Sequence, residues 1–346
     1  MSPYSQLAYW KSFFHGDGYS HDQIPDLTGK VAIVTGANSG LGYATTLALA
    51  LHGAHVFLAC RSRERALDAI ERVKKEAKAK LPERFATTEP RMEFLELDLG
   101  DLNKTCQAAQ EFLKKGLPLH ILVNNSGILG GPLELTADGI ENEFGVNHMG
   151  HFVFTLALLD RIKGSQPSRI VIMSSLFHEK AAGINYDTIF KAGDSEQPHH
   201  QNVWDRYARS KLANVLFARA LARRLINEPR LYINSCHPGY CSTRATQPIP
   251  REKSKELQTE GWSLNKSLDG LDDWFHKLVA WPVERGVLTQ LYLATSPEIE
   301  SRGIRGRYFG PIANEIEPST YARDEKLQEE LWEYSEKLAN EKLKVQ

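Results

Sequence analysis

Cysteine is scarce in this chain, and the little there is shows no pattern. Cys60, Cys106, Cys236 and Cys241 are the only four, and they lack the paired spacing of a zinc site. A chain of 346 residues can also build a core that needs no disulfide staples. Reduced thiols in a cytoplasmic protein are the expectation. An excess of either charge is missing as well: 42 basic residues face 43 acidic ones, for a formal net charge of -1. No global field therefore draws the chain to nucleic acid or to an anionic membrane. Long apolar runs are absent too, and no segment reaches the roughly 20 uninterrupted apolar residues that a spanning helix needs. The N-terminal stretch carries Tyr4, Tyr9, Trp10, Phe13 and Phe14, but polar and charged residues interrupt it before a signal-peptide core is reached. Docking of these aromatics on the domain is the plainer reading, and peripheral membrane contact the other. The partner these absences leave is a small molecule.

What is present is an ordinary globular balance, 42% hydrophobic and 25% charged residues, enough for a sizeable core. Short β-branched runs alternate with helical patterns, which predicts an α/β fold with a parallel sheet. Strands are expected at Val31–Val34, His55–Leu58, Glu93–Leu97, Ile121–Val123, Arg169–Met173, Leu231–Ser235 and Arg307–Phe309. Apolar residues recur at helical spacing over Leu41–His52, Arg63–Lys80, Leu102–Lys115, Asp138–Ile162, Asp205–Ile226, Pro282–Thr295 and Asp324–Leu343. In the last of these, Leu327, Leu331, Trp332 and Leu338 form a face to pack on the domain. The organisation is one Rossmann-type doubly wound domain over 27–346, seven parallel strands flanked by helices, after an N-terminal extension of residues 1–26. Two connections, 176–206 and 240–281, are far longer than usual. Both follow carboxyl ends of strands, where an open α/β sheet has its ligand crevice. They are expected to wall a substrate pocket, with Trp262, Leu264, Leu268, Leu271, Trp274 and Phe275 as apolar lid residues.

The first strand feeds Thr35-Gly36-Ala37-Asn38-Ser39-Gly40-Leu41-Gly42. A glycine turn that opens a helix presents amides with no intrahelical partner, together with the positive end of the helix dipole. Both favour a phosphate. The spacing is Gly-x3-Gly-x-Gly, so its context of strand before and helix after carries the reading. The second strand ends in Leu58-Ala59-Cys60-Arg61-Ser62-Arg63, with no carboxylate for a ribose 2′-hydroxyl. Arg61 stands there instead, and a guanidinium suits a 2′-phosphate. NADP(H) is therefore expected over NAD(H), with Ser39, Ser62 and Arg63 assisting. Downstream, Tyr207 and Lys211 lie four apart in Tyr-Ala-Arg-Ser-Lys, on one face of a helix, where an ammonium can acidify a phenol. Together with the glycine turn they describe a nicotinamide-dependent oxidoreductase.

The ordered set Thr35 to Gly42, Asp98-Leu99, Asn124-Asn125-Ser126-Gly127, Asn147-His148-Met149-Gly150-His151-Phe152, Ser174-Ser175, Tyr207 to Lys211 with Leu212-Ala213-Asn214, and His237-Pro238-Gly239 resembles the short-chain dehydrogenases/reductases. Within them it is most similar to the retinol-dehydrogenase-like and WW-domain-oxidoreductase-like branch, and the resemblance runs from Leu27 to Leu343. It implies that Tyr207 is the general acid in carbonyl reduction and that Lys211 binds the nicotinamide ribose and lowers the tyrosine pKa. It implies further that Ser175 hydrogen-bonds the substrate oxygen and that Asn147 holds a water near Lys211. Gly36, Asn38, Ser39, Gly40, Leu41 and Gly42 would line the pyrophosphate and Asp98 and Leu99 the adenine. Asn125, Ser126 and Gly127 would pass the adenosine ribose, and Pro238, Gly239 and Thr243 would meet the nicotinamide amide. Ser126 replaces the family's usual alanine, a tolerable extra hydroxyl. Ser174 and Ser175 point to opposite sides of a continuing strand, and the resemblance favours Ser175.

His148 and His151, three apart on a helix, and the adjacent His199 and His200 come with no third ligand at a sensible spacing, and no metal is expected. The first pair reads as packing and hydrogen bonding near the site. The function expected is NADP-dependent interconversion of a carbonyl and an alcohol on a small apolar or aromatic molecule, by hydride transfer. Two alternatives stay open: an NADP-binding scaffold or redox sensor, and a non-redox dehydration or cyclisation. The state of association is monomer or homodimer.

Overall fold

The computed structural model describes residues 18–130, 132–189, 203–241 and 281–343. The aromatics from Tyr4 to Phe14, the pair His199 and His200, Thr243 and the expected lid residues from Trp262 to Phe275 lie outside them. Strands β1 (Val31–Thr35), β2 (His55–Cys60), β3 (Met92–Glu96), β4 (Ile121–Asn124), β5 (Ser168–Met173), β6 (Leu231–Cys236), β7 (Tyr308–Gly310) and β8 (Asn314–Glu315) form one sheet in the order β3-β2-β1-β4-β5-β6-β7-β8. Every pairing is parallel except β7 with β8. Each of the seven expected strands is present.

Burial on both faces explains why the central strands read as continuous apolar runs: β1, β2, β4, β5 and β6 are buried throughout. Successive residues point to opposite sides, so Ile33, Phe57, Leu122 and Ile170 enter one core while Ala32, Val34, Val56, Val123 and Val171 enter the other. Helices α1 (Gly40–Leu51) and α2 (Arg63–Lys80) cover the second face. On the first lie α3 (Leu102–Lys114), α4 (Asn142–Phe144) continuing through a π-helical stretch Gly145–Met149 into α5 (Gly150–Lys163), and α6 (Val203–Arg224). The order of strands reverses between β1 and β4, and in open α/β sheets a ligand crevice lies beyond the carboxyl ends at such a point.

The remaining described helices are α7 (Val283–Gly286), α8 (Leu288–Thr295), α9 (Pro297–Ser301), α10 (Thr320–Arg323) and α11 (Glu325–Leu343). Asp324 starts α11 as its side chain accepts the amides of Lys326 and Leu327, at 2.9 and 3.3 Å. The expected face of that helix packs inward: Leu331 and Leu338 are buried, and Trp332 meets the ring of Phe152 edge-on at 5.2 Å. Tyr19, Ile24 and Leu27 pack into the second core, with the Tyr19 hydroxyl 2.9 Å from Thr295 Oγ1. Three details differ from the expectation. β8 adds an eighth strand, two exposed residues too short to leave an alternating pattern. The helix expected from Asp138 begins at Asn142, because the chain before it turns through Gly139 at φ +76° and bridges Leu135 to Glu141. The helix expected over Pro282–Thr295 is broken between α7 and α8, where Gly286 lies so close to Cys241 that a Cβ would stand 2.2 Å from its sulfur. No described helix is long and apolar enough to cross a membrane.

Candidate active site

The cofactor end begins at Thr35, the last residue of β1. Gly36 follows at φ +65°, and α1 starts at Gly40 with no side-chain cap from Ser39, which leaves its first amides for an anion. Gly42 is where the helix crosses the turn: a Cβ there would stand 2.3 Å from the Gly36 carbonyl oxygen and 2.7 Å from Asn125 Nδ2. Because the obstruction is backbone, Gly42→Ala is expected to cost about 1–3 kcal/mol of stability by overpacking. Denaturant unfolding measures it, and an unchanged midpoint would refute the crowding.

Thr35 organises this end, and the sequence reading passed over it. Its Oγ1 accepts the amides of Asn125 and Ser126 at 2.9 and 2.8 Å, while Asn125 Nδ2 donates to the Thr35 carbonyl at 2.9 Å. The hydroxyl proton then has His151 Nε2 at 2.8 Å, closer than the Val123 carbonyl at 3.5 Å. That makes Nε2 the acceptor, so Nδ1 carries the proton and donates to the Asn147 carbonyl at 3.0 Å. Burial holds this ring neutral, with its pKa down at about 4. His151 thereby ties the cofactor turn to Asn147. His148 is also buried, its Nε2 at 2.9 Å from Ser335 Oγ of α11.

Arg61 follows the end of β2 and is exposed, as are Arg63 and Arg65. Ser62 caps α2 by accepting the Arg65 amide at 3.4 Å. Arg72 is committed elsewhere, donating to the Asn38 carbonyl at 3.1 Å. Asp98 Oδ1 accepts the Gly100 amide at 3.1 Å, and Leu99 is buried where Gly150 passes, a Cβ there standing 2.5 Å from the Leu99 carbonyl.

Helix α6 places Tyr207 and Lys211 on one face, the Lys211 ammonium 5.5 Å from the phenol ring centroid. Lys211 is buried, and among the described residues its one hydrogen bond is a long one, 3.4 Å, to the Met173 carbonyl. An ammonium has three protons to donate, and this one also lies beside Gly127, 3.1 Å from the position a Cβ would take there. That spare donor capacity fits a ribose hydroxyl. Burial brings the Lys211 pKa down to about 8, against the opposing pull of the Glu143 charge. The phenol differs from the expectation: burial pushes Tyr207 up to about 12, a hydrogen bond with Ser175 lowers it, and the Glu143 charge raises it further. Removal from water is the largest influence on this phenol.

The two serines divide as their alternation requires. Ser174 is buried and donates to the Lys211 carbonyl at 2.8 Å, fastening β5 to α6. Ser175 faces the other way, its hydroxyl accepting the Phe177 amide at 3.2 Å. Beneath it, His178 Nε2 accepts the Ser319 amide at 3.1 Å, which leaves Nδ1–H to donate to the Ser175 carbonyl at 2.8 Å. Tyr308 donates to that carbonyl as well, at 3.3 Å. Neither supporting residue carried a sequence signal. Phe177 stacks on Trp204 with centroids 4.9 Å apart and meets Tyr207 edge-on at 6.0 Å, an aromatic wall next to the phenol.

Asn147 stands in the π-helical stretch, a distortion common at functional sites. Its Oδ1 accepts the Ile128 amide at 2.8 Å, and its Nδ2 donates to the Ile128 carbonyl at 3.0 Å and to Ser210 Oγ at 2.9 Å. On the far side, Pro238 and Gly239 leave β6. Gly239 has φ +82° and donates its amide to His237 Nδ1 at 3.3 Å. Hydrogen bonds thus link Thr35, Asn125 and Ser126 through His151 to Asn147, and Asn147 to Ser210 of the helix that carries Tyr207 and Lys211, while Thr243 lies outside the described residues.

The short chain dehydrogenase family model matches residues 30–186. Human retinol dehydrogenase 14 is 40% identical over 312 residues, 89% of this chain and 85% of that protein. The human WW domain-containing oxidoreductase is 38% identical over 323 residues, 92% of this chain and 70% of that protein. Among solved structures, a Mycobacterium paratuberculosis protein 28% identical in sequence matches with a TM-score of 0.68 over 93% of this chain and 98% of its own. The chain belongs to the short-chain dehydrogenase/reductase family, oxidoreductases that use NAD(P) and act on small molecules. Within that family it falls in the retinol-dehydrogenase-like branch.

Proposed function

We propose that the protein is an NADP-dependent oxidoreductase that interconverts a carbonyl and an alcohol on a small apolar or aromatic molecule. The observation that carries this reading is the pairing of Tyr207 and Lys211 on one face of α6, the buried ammonium 5.5 Å from the phenol ring, with Ser175 at the end of β5 beside them. When bound, the cofactor supplies the hydride. Tyr207 gives its proton to the developing alkoxide in reduction and takes it back in oxidation. Ser175 donates a hydrogen bond to the same oxygen, its orientation held by the His178 and Tyr308 contacts to its carbonyl. Lys211 holds a ribose hydroxyl, and its charge stabilises the phenolate once the site is filled. Asn147 fixes the strand-to-loop segment at Ile128, which would lie beside a bound cofactor. Phe177 and Trp204 supply the apolar wall, and an apolar alcohol of the kind named for the human retinol dehydrogenase falls within this substrate class. The four cysteines form no disulfide among the described residues, in keeping with a cytoplasmic enzyme.

Fluorescence titration with NADPH and NADH, followed by a panel of carbonyls and alcohols under the preferred cofactor, tests the reading. Tight NADPH binding with substrate-dependent oxidation is expected. Binding without turnover on any carbonyl or alcohol would shift the assignment to a scaffold or a non-redox step. Arg61→Ala is expected to weaken NADPH by about tenfold or more and NADH hardly at all, since a charge-assisted pair to a phosphate contributes about 1.5–3 kcal/mol. Equal losses for both cofactors would overturn the choice of NADP.

A further inference from the structure

Beside the reacting residues lies a buried group of four charges that the chemistry above does not use: Glu141, Glu143, Arg206 and Arg209. Glu141 caps α4 by accepting the amides of Glu143 and Phe144 at 2.8 and 3.0 Å, and it pairs with Arg209 at 3.0 Å and Arg206 at 3.6 Å. Its charge is fully engaged by these partners. Glu143 is placed differently. One oxygen accepts the Gly130 amide at 2.8 Å; the other is buried, 3.9 Å from Arg206 Nε, and accepts no hydrogen bond among the described residues. Four residues on, Asn147 clasps Ile128 of the same loop. Glu143 and Asn147 therefore act as two rungs that pin the segment after β4, between Gly127 and Gly130, against the start of α6.

We propose that Glu143 is a positioning residue for the Tyr207–Lys211 pair, holding through Gly130 the loop whose Gly127 lies beside the Lys211 ammonium and setting a buried carboxyl at the start of α6. The inference rests on the reading of Tyr207 and Lys211 given above. The groups that face this carboxyl are Glu141 from its own element, Arg206, Arg209, Tyr207 and Lys211 from α6, and the Gly130 amide from the loop. Burial raises Glu143 to about 7, with the Gly130 amide and the two arginines pulling it down and Glu141 pushing it up. Its charge keeps Lys211 protonated to higher pH and makes Tyr207 harder to ionise. Glu143 thereby keeps the pair in its proton-loaded form, the one that carbonyl reduction requires.

The test uses Glu143→Gln, which keeps an acceptor for Gly130 and removes the charge, and Glu143→Asp, which keeps the charge. NADPH affinity is measured by fluorescence from pH 6 to 10, and alcohol oxidation is followed over the same range. In wild type, affinity should fall as Lys211 loses its proton, and Lys211→Gln should remove that alkaline limb. Glu143→Gln is expected to move the limb toward lower pH, and to move the rise of alcohol oxidation in the same direction. Glu143→Asp should restore both toward wild type. An alkaline binding limb that stays in place in Glu143→Gln would overturn the proposal while leaving the oxidoreductase reading intact. A shifted binding limb in a protein that turns over no alcohol would uphold Glu143 and sink that reading instead.

Discussion

Tyr207→Phe is expected to lower the rate of hydride transfer about 10²–10⁴-fold while NADPH binding stays close to wild type. The reason is local. A phenylalanine keeps the edge contact with Phe177 and the ring beneath the Lys211 ammonium, so the pocket and the ribose contact survive. What disappears is the phenolic proton proposed to reach the substrate oxygen alongside Ser175, and a positioned general acid contributes a factor of this size. Single-turnover absorbance of NADPH gives the rate, and fluorescence titration gives the affinity, so the two effects separate. A variant that reduced substrate at the wild-type rate would show that another group supplies the proton. A loss of affinity equal to the loss of rate would show that the ring has a binding role.

The second large effect is acid instability. His148, His151, His178 and His237 are buried, and burial lowers their pKa values to about 3, 4, 4 and 3 from the ordinary 6.5. The sign follows from proton counting. Below pH 6.5 the unfolded imidazoles take up protons that the folded ones refuse until pH 4 or lower, so the unfolded state is favoured as the pH falls. Each ring contributes a slope of about 1.4 kcal/mol per pH unit near pH 5, and the four together about 5–6 kcal/mol per unit. That is comparable with the whole stability of an ordinary domain, about 5–15 kcal/mol. Asp138 and Glu143, raised by burial, work in the opposite direction and reduce the slope. Urea midpoints measured at successive pH values should fall steeply from pH 6.5 to 4.5. A flat profile over that range would mean that these rings are solvated or already protonated in the fold.

The periodicity of the chain carried most of the architecture. Strands buried on both faces are unbroken apolar runs, and the long helices show their packing faces, so seven strands and the principal helices were legible. The missed elements are those whose cause is tertiary. β8 consists of two exposed residues and exists because β7 offers hydrogen bonds. The late start at Asn142 comes from the Leu135 and Glu141 bridge, which no local pattern encodes. In the site, the residues legible from sequence were those with motif spacing, Tyr207 and Lys211 above all. His178, Tyr308 and Glu143 escaped, and the partners of Thr35 and of His151, a residue already expected to hydrogen-bond near the site, were not legible, because each acts far along the chain: Thr35 meets His151 across 116 positions and Tyr308 reaches Ser175 across 133. The hydroxyl at Ser126, unusual for the family, lies against Gly36, 3.2 Å from where a Cβ would be, so the glycine accommodates it.

The two residues of β8 have a consequence for how copies of this chain can associate. They occupy the hydrogen-bonding side of β7, and Glu315 is held by Arg307 at 3.5 Å and Arg302 at 3.8 Å. An open sheet edge is a template on which a second molecule can add its own strand, and short, charged edges are how proteins refuse it. The sheet here ends in two exposed residues, one of them a carboxylate already paired with arginines. A second copy finds too little backbone there to continue the ladder, so the β8 edge does not lend itself to joining two sheets.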